Sequence, residues 1–595
     1  VIQFVHRAED LLLAAVLALL VVLGAASASM RFSNFDELIR HLTLVVGMLG
    51  GMVAAREGRL LAMGTFLQAV PPRWQSTAQG FTGLVATTVC ATLTVAAWQF
   101  VSQEASTPGE LAFGVPRLVL QAAMPAGFAF ITLRLAAHAT PGSGARAAIL
   151  AVAIAAAACV AQHDGALPAI RLPALAALAV AILFGAPLFT GLAGIALIFF
   201  IGTGDPIASV PLDHYDQVVN PLLATLPLFT LAGFVVTSTR AARRLVRLLW
   251  AWAGPLRGAP AIVTVLACAF FTAFTGGSGI TILALGGLLM PILMSSRYDD
   301  RMALGLVTGA GSLGVLFAPC LPLILYSIVA NVPIESMFLG GALPGLLMVA
   351  LACAWGVWRS PGKRVRPRLS WRRVAATTWR AKWDLLLPVV PIVLIFGGFA
   401  LPVPAAAITA AYAIFIAAFV NRDLPRGERL VEVLAECGLL VGGVLLILGT
   451  AMGLTNLLIT NHVPDRLTAW MDAAFDSPWV FLLMLNLVMV VLGCVIEIFS
   501  AIIVVAPLVV PVANAFGVDP VHLGVVMLAS LELGYLMPPI GLNLLMSASR
   551  FRRPMLEVAT ATLPMFAVLA VGVALITAFP QLSLWLPRWF AGAAP

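Results

Sequence analysis

The chain alternates long apolar runs with short polar or charged stretches. Residues 172–204, 258–296 and 302–334 contain no Asp, Glu, Lys or Arg. One bilayer crossing takes roughly 20 apolar residues, so the 39 charge-free positions of 258–296 are too many for one crossing and suit two. Period-two alternation is absent, which points to helices rather than a barrel. The pattern predicts four N-terminal spans near 9–29, 38–55, 80–102 and 116–137. The apolar stretch 11–26 is read as a retained first helix, not a signal peptide, because many spans follow it. An Ala-rich fifth span, 147–162, ends at Gln162-His163-Asp164-Gly165 and reads as a joining helix. Segment 172–202 is broken at Gly185-Ala186-Pro187, 203–220 reads as an outside loop, and 221–238 crosses inward. Arg240, Arg243, Arg244, Arg247 and Arg257 then lie among apolar residues at helical spacing, which predicts an amphipathic helix on the inner surface.

Two further segments carry interruptions. Thr275-Gly276-Gly277-Ser278-Gly279 lies midway through 259–296, whose flanks are both basic. A segment that returns to its own side around such a break is a re-entrant hairpin, and irregular backbone at membrane depth has to be buried or line a wet cavity. Segment 302–332 is interrupted at Gly311-Ser312-Leu313-Gly314 and Pro319 and reads as a discontinuous helix. Span 340–357 leads to 359–382, with nine Lys or Arg, the largest expected cytoplasmic loop. Beyond it the pattern repeats. Leu304-Gly305-Leu306-Val307 matches Leu523-Gly524-Val525-Val526, and Leu313-Gly314 before Pro319 matches Leu533-Gly534 before Pro539. Pro291 and Pro511 each lie 28 residues before those prolines, and one inserted residue reconciles the copies. A second hairpin is expected at about 480–511, flanked by Asp472, Asp476 and Asp519, and a second broken helix at 523–548. Charge inverts while sequence repeats, the mark of an inverted-topology repeat and of secondary transporters with a midplane site.

Composition narrows the class. The chain is 61% hydrophobic and 10% charged, against about 25% charged in soluble proteins, and its mean hydropathy is +1.03. The net charge of +8 sits in short loops, as on cytoplasmic faces, and is no nucleic-acid signal. Arg7, Arg56, Arg59, Arg73, Arg134 and Arg146 place the N-terminus in the cytoplasm, and counting onward places the C-terminus in the periplasm. Seven scattered cysteines make no metal or redox spacing. There is no GxxxxGK[ST] phosphate loop and no nucleophile–base pair, so neither an ATP-driven pump nor an enzyme is expected.

Broken helices present bare N–H groups, suited to anions, and bare carbonyls, suited with nearby hydroxyls to Na⁺. The first candidate set is Thr275, Gly276, Gly277, Ser278 and Gly279 with Ser312, Gly314 and Pro319. The second is Gly493, Glu497 and Ser500 with Gly534, Pro538, Pro539 and Asn543. The alternative for each is close helix packing by small residues. Glu497 and Glu532 are isolated acids inside apolar spans, where a carboxylate ordinarily faces a cavity or a partner.

FTGGSGITILALGGLLMPIL (274–293), ALGLVTGAGSLGVLFAPCLPLILYSIVA (303–330), APLVVPVANAFGVDPVHLGVVML (506–528) and GYLMPPIGLNLLMSAS (534–549) resemble the large membrane subunit of tripartite ATP-independent periplasmic (TRAP) transporters. GMVAAREGRLLAMGTF (51–66) resembles the small four-helix subunit. The first hairpin reads Thr-Gly-Gly-Ser where the family pattern is closer to Thr-Gly-Ser-Ser. The resemblance implies Na⁺-coupled import of a small organic acid across the bacterial inner membrane, a soluble periplasmic substrate-binding protein, an elevator motion, and no cofactor beyond Na⁺ as coupling ion.

The expectation is therefore an all-α polytopic membrane protein: a small four-helix membrane module (1–142), a fusion helix and linker (143–170), and a large transport module (171–595). The large module would hold inverted repeats at about 221–358 and 385–578, two re-entrant helical hairpins and discontinuous helices. Its partners would be membrane lipids, the binding protein and the organic acid, with no nucleic acid. The competing readings are a carrier of like architecture that needs no binding protein and, from another class, a membrane-embedded enzyme.

Overall fold

The structure is a computed structural model, and it describes residues 2–28, 33–62, 70–106, 109–162, 165, 167–361, 370–424, 427–474 and 477–593. His163, Asp164, Asp476, positions 63–66 of the small-subunit motif and the basic stretch 362–369 lie outside the described residues.

The named elements are helices. In chain order the first are α1 (Ile2–Ser27), α2 (Ser33–Arg56), α3 (Pro72–Glu104), α4 (Arg117–Gln121), α5 (Ala123–Ala139), α6 (Ser143–Ala161), α7 (Pro168–Leu183), α8 (Leu188–Thr203) and α9 (Ser209–Val218). There follow α10 (Thr225–Thr237), α11 (Ala241–Ala253), α12 (Ala259–Thr275), α13 (Ser278–Ser295), α14 (Asp300–Ala310), α15 (Leu321–Val329) and α16 (Ile334–Trp358). The second half holds α17 (Trp371–Phe396), α18 (Pro402–Phe415), α19 (Glu428–Thr460), α20 (Val463–Ala474), α21 (Pro478–Gly493) and α22 (Ile498–Ala515). The last are α23 (Pro520–Gly534), α24 (Leu542–Phe551), α25 (Met555–Ala578) and α26 (Gln581–Ala593). Among the described residues, eleven helical segments are long and apolar enough to cross a membrane, so the chain is an all-helical, multi-pass membrane protein.

Two stretches differ from expectation. The supposed loop 203–220 contains α9, whose Val210, His214 and Val218 recur every fourth residue and are buried. The basic stretch 359–382 becomes helical at Trp371 and runs on as α17.

By contacts the chain forms two units, Val1–Pro227 with Leu430–Asp465, and Leu228–Arg429 with Arg466–Pro595. In the first unit, α7 and α8 are separated at Gly185, where φ is 103°, before Pro187. At one end of α1, α2 and α5, the Arg56 guanidinium meets Glu9 at 3.0 Å and Asp10 at 2.7 Å, and Arg134 pairs with Glu9. Arginine forks suit such shared carboxylates. Helices α2 and α19 touch backbone to backbone, since a Cβ on Gly50 would lie 2.0 Å from the Gly438 carbonyl; only small residues allow this approach. Asn456 of α19 donates to Asp213 of α9 at 2.7 Å.

The second unit contains the repeated region. α12 to α16 contain 17, 18, 11, 9 and 25 residues, and α21 to α25 contain 16, 18, 15, 10 and 24. At 1.5 Å per residue α12 and α21 are about 25 Å long and α14, α15 and α24 under about 20 Å, short of a hydrocarbon core of about 30 Å. The packing of the two series matches. α12 lies on α14 and α21 on α23. Across the series, α13 lies on α24 and α22 on α15, while α14 lies on α25 and α23 on α16. The same glycine performs the same service in each: a Cβ on Gly314 would fall 2.2 Å from the Ala269 carbonyl of α12, and one on Gly534 would fall 2.4 Å from the Val490 carbonyl of α21.

Candidate ion and substrate site

The site candidates gather at four helix breaks in the second unit. Helix α12 ends because Gly276 takes a left-handed conformation, φ 64°, and its N–H closes on the Thr272 carbonyl. Gly277 then turns extended and α13 begins at Ser278 with no side-chain cap on its first amides. Such an end leaves N–H groups without helical partners and carries the positive end of the helix dipole. A Cβ at Gly276 would lie 2.7 Å from the Leu321 side chain, so this tip sits on the start of α15. The second break is built differently. Glycine is lacking at 494–497; Glu497 is the extended residue before α22, again without a side-chain cap bond. The Ile498 amide donates instead to the Tyr535 hydroxyl, and the Gly541 amide donates to the Cys494 carbonyl at 3.0 Å. Each of these two breaks therefore leans on the break of the helix that follows it. The Ala318–Pro319 and Pro538–Pro539 peptides in those following breaks are cis.

Around the first break the hydroxyls form a connected set. The Thr272 hydroxyl donates to the Gly311 carbonyl at 2.6 Å and lies 2.8 Å from the Thr281 hydroxyl, and Thr275 lies 3.2 Å from Thr281. Ser312 is fully buried. Asn543, grouped with the second set by sequence, turns its amide to the first: its Nδ2 donates to the Thr308 carbonyl at 3.2 Å. Thr308 also donates to Ser547 at 2.8 Å. Gly279 faces Met546 of α24. Gly493 and Gly534 face each other in the second set, where a Cβ on Gly534 would lie 2.8 Å from the Gly493 Cα. Pro319 is buried, Pro538 and Pro539 are exposed, and Glu497 is half-buried. Glu532 of α23 is buried and faces the first series, near the Val315 amide, which donates to the Ser312 carbonyl at 3.0 Å.

Three buried oxygens here have no hydrogen-bond partner among the described residues: Ser278 Oγ, Ser500 Oγ and Asn543 Oδ1. Both carboxylate oxygens of Glu532 are in the same condition. Buried polar atoms are ordinarily paired, so these oxygens are where a ligand would be held. Hydroxyls and an amide carbonyl are the hard donors that a cation such as Na⁺ prefers. No cluster of His, Cys, Asp and Glu fit for a transition metal occurs among the described residues. Thr272, Thr281, Thr308 and Tyr535 were not singled out from sequence. A buried threonine one turn before a glycine break was the available signal for Thr272.

Many apolar helices, several broken in mid-course around shared oxygen groups, define a polytopic membrane transport protein. The family described as the "Tripartite ATP-independent periplasmic transporter, DctM component" matches residues 175–582, and the DctQ component of the same transporters matches residues 13–141. The C4-dicarboxylate TRAP transporter large permease protein DctM of Pseudomonas aeruginosa is 33% identical over 401 residues, 67% of this chain and 93% of that protein. The isethionate TRAP transporter permease protein DctMQ of Oleidesulfovibrio alaskensis is 27% identical over 96% of this chain and 89% of its own length. The sialic acid TRAP transporter large permease protein SiaM of Vibrio cholerae is 30% identical over 69% of this chain and 96% of its own. The chain belongs to the TRAP transporter family and carries both membrane components, DctQ and DctM, in one polypeptide. It is a transport protein rather than an enzyme. The family works with a periplasmic binding protein and resides in the bacterial inner membrane.

Proposed function

We propose that the chain imports a small organic acid by secondary transport coupled to Na⁺, receiving it from a soluble periplasmic binding protein. The observation that carries this reading is that three buried oxygens, Ser278 Oγ, Ser500 Oγ and Asn543 Oδ1, lack a hydrogen-bond partner among the described residues, each within the first three residues of a helix that follows a break. These hydroxyls and the Asn543 carbonyl would hold Na⁺, which supplies positive charge beside the substrate when bound. The uncapped first amides of α13 and the dipoles of α13 and α22 would receive the carboxylate. Glu497 stands at the start of α22, and Gly314 and Gly534 let the breaks approach the hairpins closely enough to share donors. The names of the relatives, C4-dicarboxylate, isethionate and sialic acid, are all organic acids, which supports the substrate class.

In this reading α12–α13 and α21–α22 are re-entrant hairpins entering from opposite faces, and the matched series α12–α16 and α21–α25 are inverted repeats within about 221–358 and 385–578. They move as an elevator against a fixed scaffold that the 1–142 module enlarges through the 143–170 fusion helix. The N-terminus is cytoplasmic and the C-terminus periplasmic. Uptake by proteoliposomes with the purified cognate binding protein tests the proposal: accumulation should follow an inward Na⁺ gradient and fail with K⁺. Equal uptake in both, or uptake without the binding protein, removes the corresponding part.

A further inference from the structure

We infer that the face made by α11 and the N-terminal half of α17 is a seat for anionic phospholipid headgroups. Helix α11 has two unlike sides. Ala241, Leu245 and Leu248 are buried, whereas Arg240, Arg243 and Arg247 are exposed and fall at three- and four-residue spacing, one stripe of a helix. Arg244, one position from Arg243, turns the other way and is consumed inside. Its Nε and Nη2 bind both oxygens of Asp384 on α17 at 2.6 and 3.0 Å, and its Nη1 binds Asp423. That clamp fixes α11 against α17 and removes from the surface the only acid of α17; α11 has none.

What remains outside is of one sign. α17 adds exposed Arg372, Arg373 and Arg380, and no carboxylate among the described residues pairs with the guanidinium of any of these six arginines. Trp252, Trp371 and Trp379 are 54%, 75% and 70% exposed on the same two helices, and the Lys382 ammonium sits 3.2 Å from the Trp379 ring centroid. Exposed indoles among arginines mark the depth at which headgroups meet acyl chains. A soluble acidic partner would not require large apolar rings beside the charges, whereas an anionic lipid presents phosphate to the guanidinium groups and glycerol and chain to the indoles. The matching helix of the other half, α20, carries Asp465 and Asp472 with Arg466, so the charged seat belongs to one half only.

The test uses the full chain, purified in detergent, stripped of lipid and titrated with dansyl-labelled phosphatidylglycerol or dansyl-labelled phosphatidylcholine, reading energy transfer from tryptophan. Phosphatidylglycerol should bind at about a tenfold lower concentration or better, the scale expected for several arginines at an anionic headgroup. R240Q/R243Q/R247Q should erase most of that preference, and the matching Lys triple should restore it. If the Gln triple fails to purify as a single species, R372Q/R373Q/R380Q serves in its place. Equal binding of the two lipids by the native chain, or an unchanged preference in the Gln variants, overturns the inference. So does displacement of phosphatidylglycerol by soluble polyglutamate at equal charge, which would assign the face to an acidic protein.

Discussion

Replacing Arg244 by Gln should destabilise the second unit more than losing either of its acidic partners, because the three groups are unequal in what they leave behind. The Arg244, Asp384 and Asp423 side chains are 17%, 8% and 7% exposed. Without the arginine, two carboxylates remain in one dry place with no cation between them. Breaking a buried pair in this way costs about 3–5 kcal/mol, roughly a hundredfold or more in the folded-to-unfolded ratio. D423N leaves the bidentate Arg244–Asp384 pair whole and neutral, and forfeits one charged hydrogen bond together with the 3.3 Å bond from the Arg240 amide, about 1–3 kcal/mol. R244K keeps the charge but lacks the planar fork that grips two oxygens of one carboxylate, so it should fall between. Thermal unfolding of detergent-purified protein, followed by tryptophan fluorescence with Trp383 beside the clamp, should rank the midpoints D423N above R244K above R244Q. A midpoint for R244Q at or above that of D423N would refute the account of two stranded charges.

Three further outcomes follow from contacts already described. Replacing Ser278 or Ser500 by Ala should raise the Na⁺ concentration for half-maximal uptake about three- to tenfold, the scale of one lost ligand worth roughly 1 kcal/mol, with little change in thermal midpoint; an unaltered Na⁺ dependence would remove that hydroxyl from the site. Gly534→Ala should push α21 and α23 apart and cost about 1–3 kcal/mol, measured as lower midpoint and yield, whereas Gly142→Ala, whose Cβ meets nothing within 4 Å, should be silent. Burial raises the Asp213 carboxyl above its ordinary value, so the folded first unit holds that proton more tightly than the unfolded chain. The contribution is greatest below the unfolded value, about 4, and is lost as pH rises through the folded value. D213N should flatten this fall in thermal midpoint; an unchanged slope would assign it elsewhere.

Much of the architecture was written in the pattern of apolar runs and glycine breaks. Gly276-Gly277 and Gly311–Gly314 stop helices for local reasons, so the ends of α12 and α14 could be read directly. Leu313-Gly314 and Leu533-Gly534 were legible as a repeat because the same close approach to a neighbouring helix demands glycine twice. The break between α21 and α22 could be placed only through that repeat, since Cys494–Glu497 holds no local breaker and the Tyr535 hydroxyl supplies the contact from a distance. Asn543 shows the limit. Its neighbours suggested one partner set, but the packing of α24 on α13 sends its side chain to Thr308. Helix α9 was missed for a different reason: its fourfold spacing of buried residues was masked by Asp213 and Asp216, which read as loop.

The crosswise seating of α13 on α24 and of α22 on α15 has a consequence for biosynthesis. A nascent chain that has emerged through α13 still lacks one of the surfaces against which that helix rests, and obtains it only when residues 542–551 leave the ribosome. The earlier half must therefore wait in the membrane, incompletely covered, while the later half is made, and a message cut short before α24 would yield a product whose α13 lacks one of its packing faces and is open there to quality-control proteases.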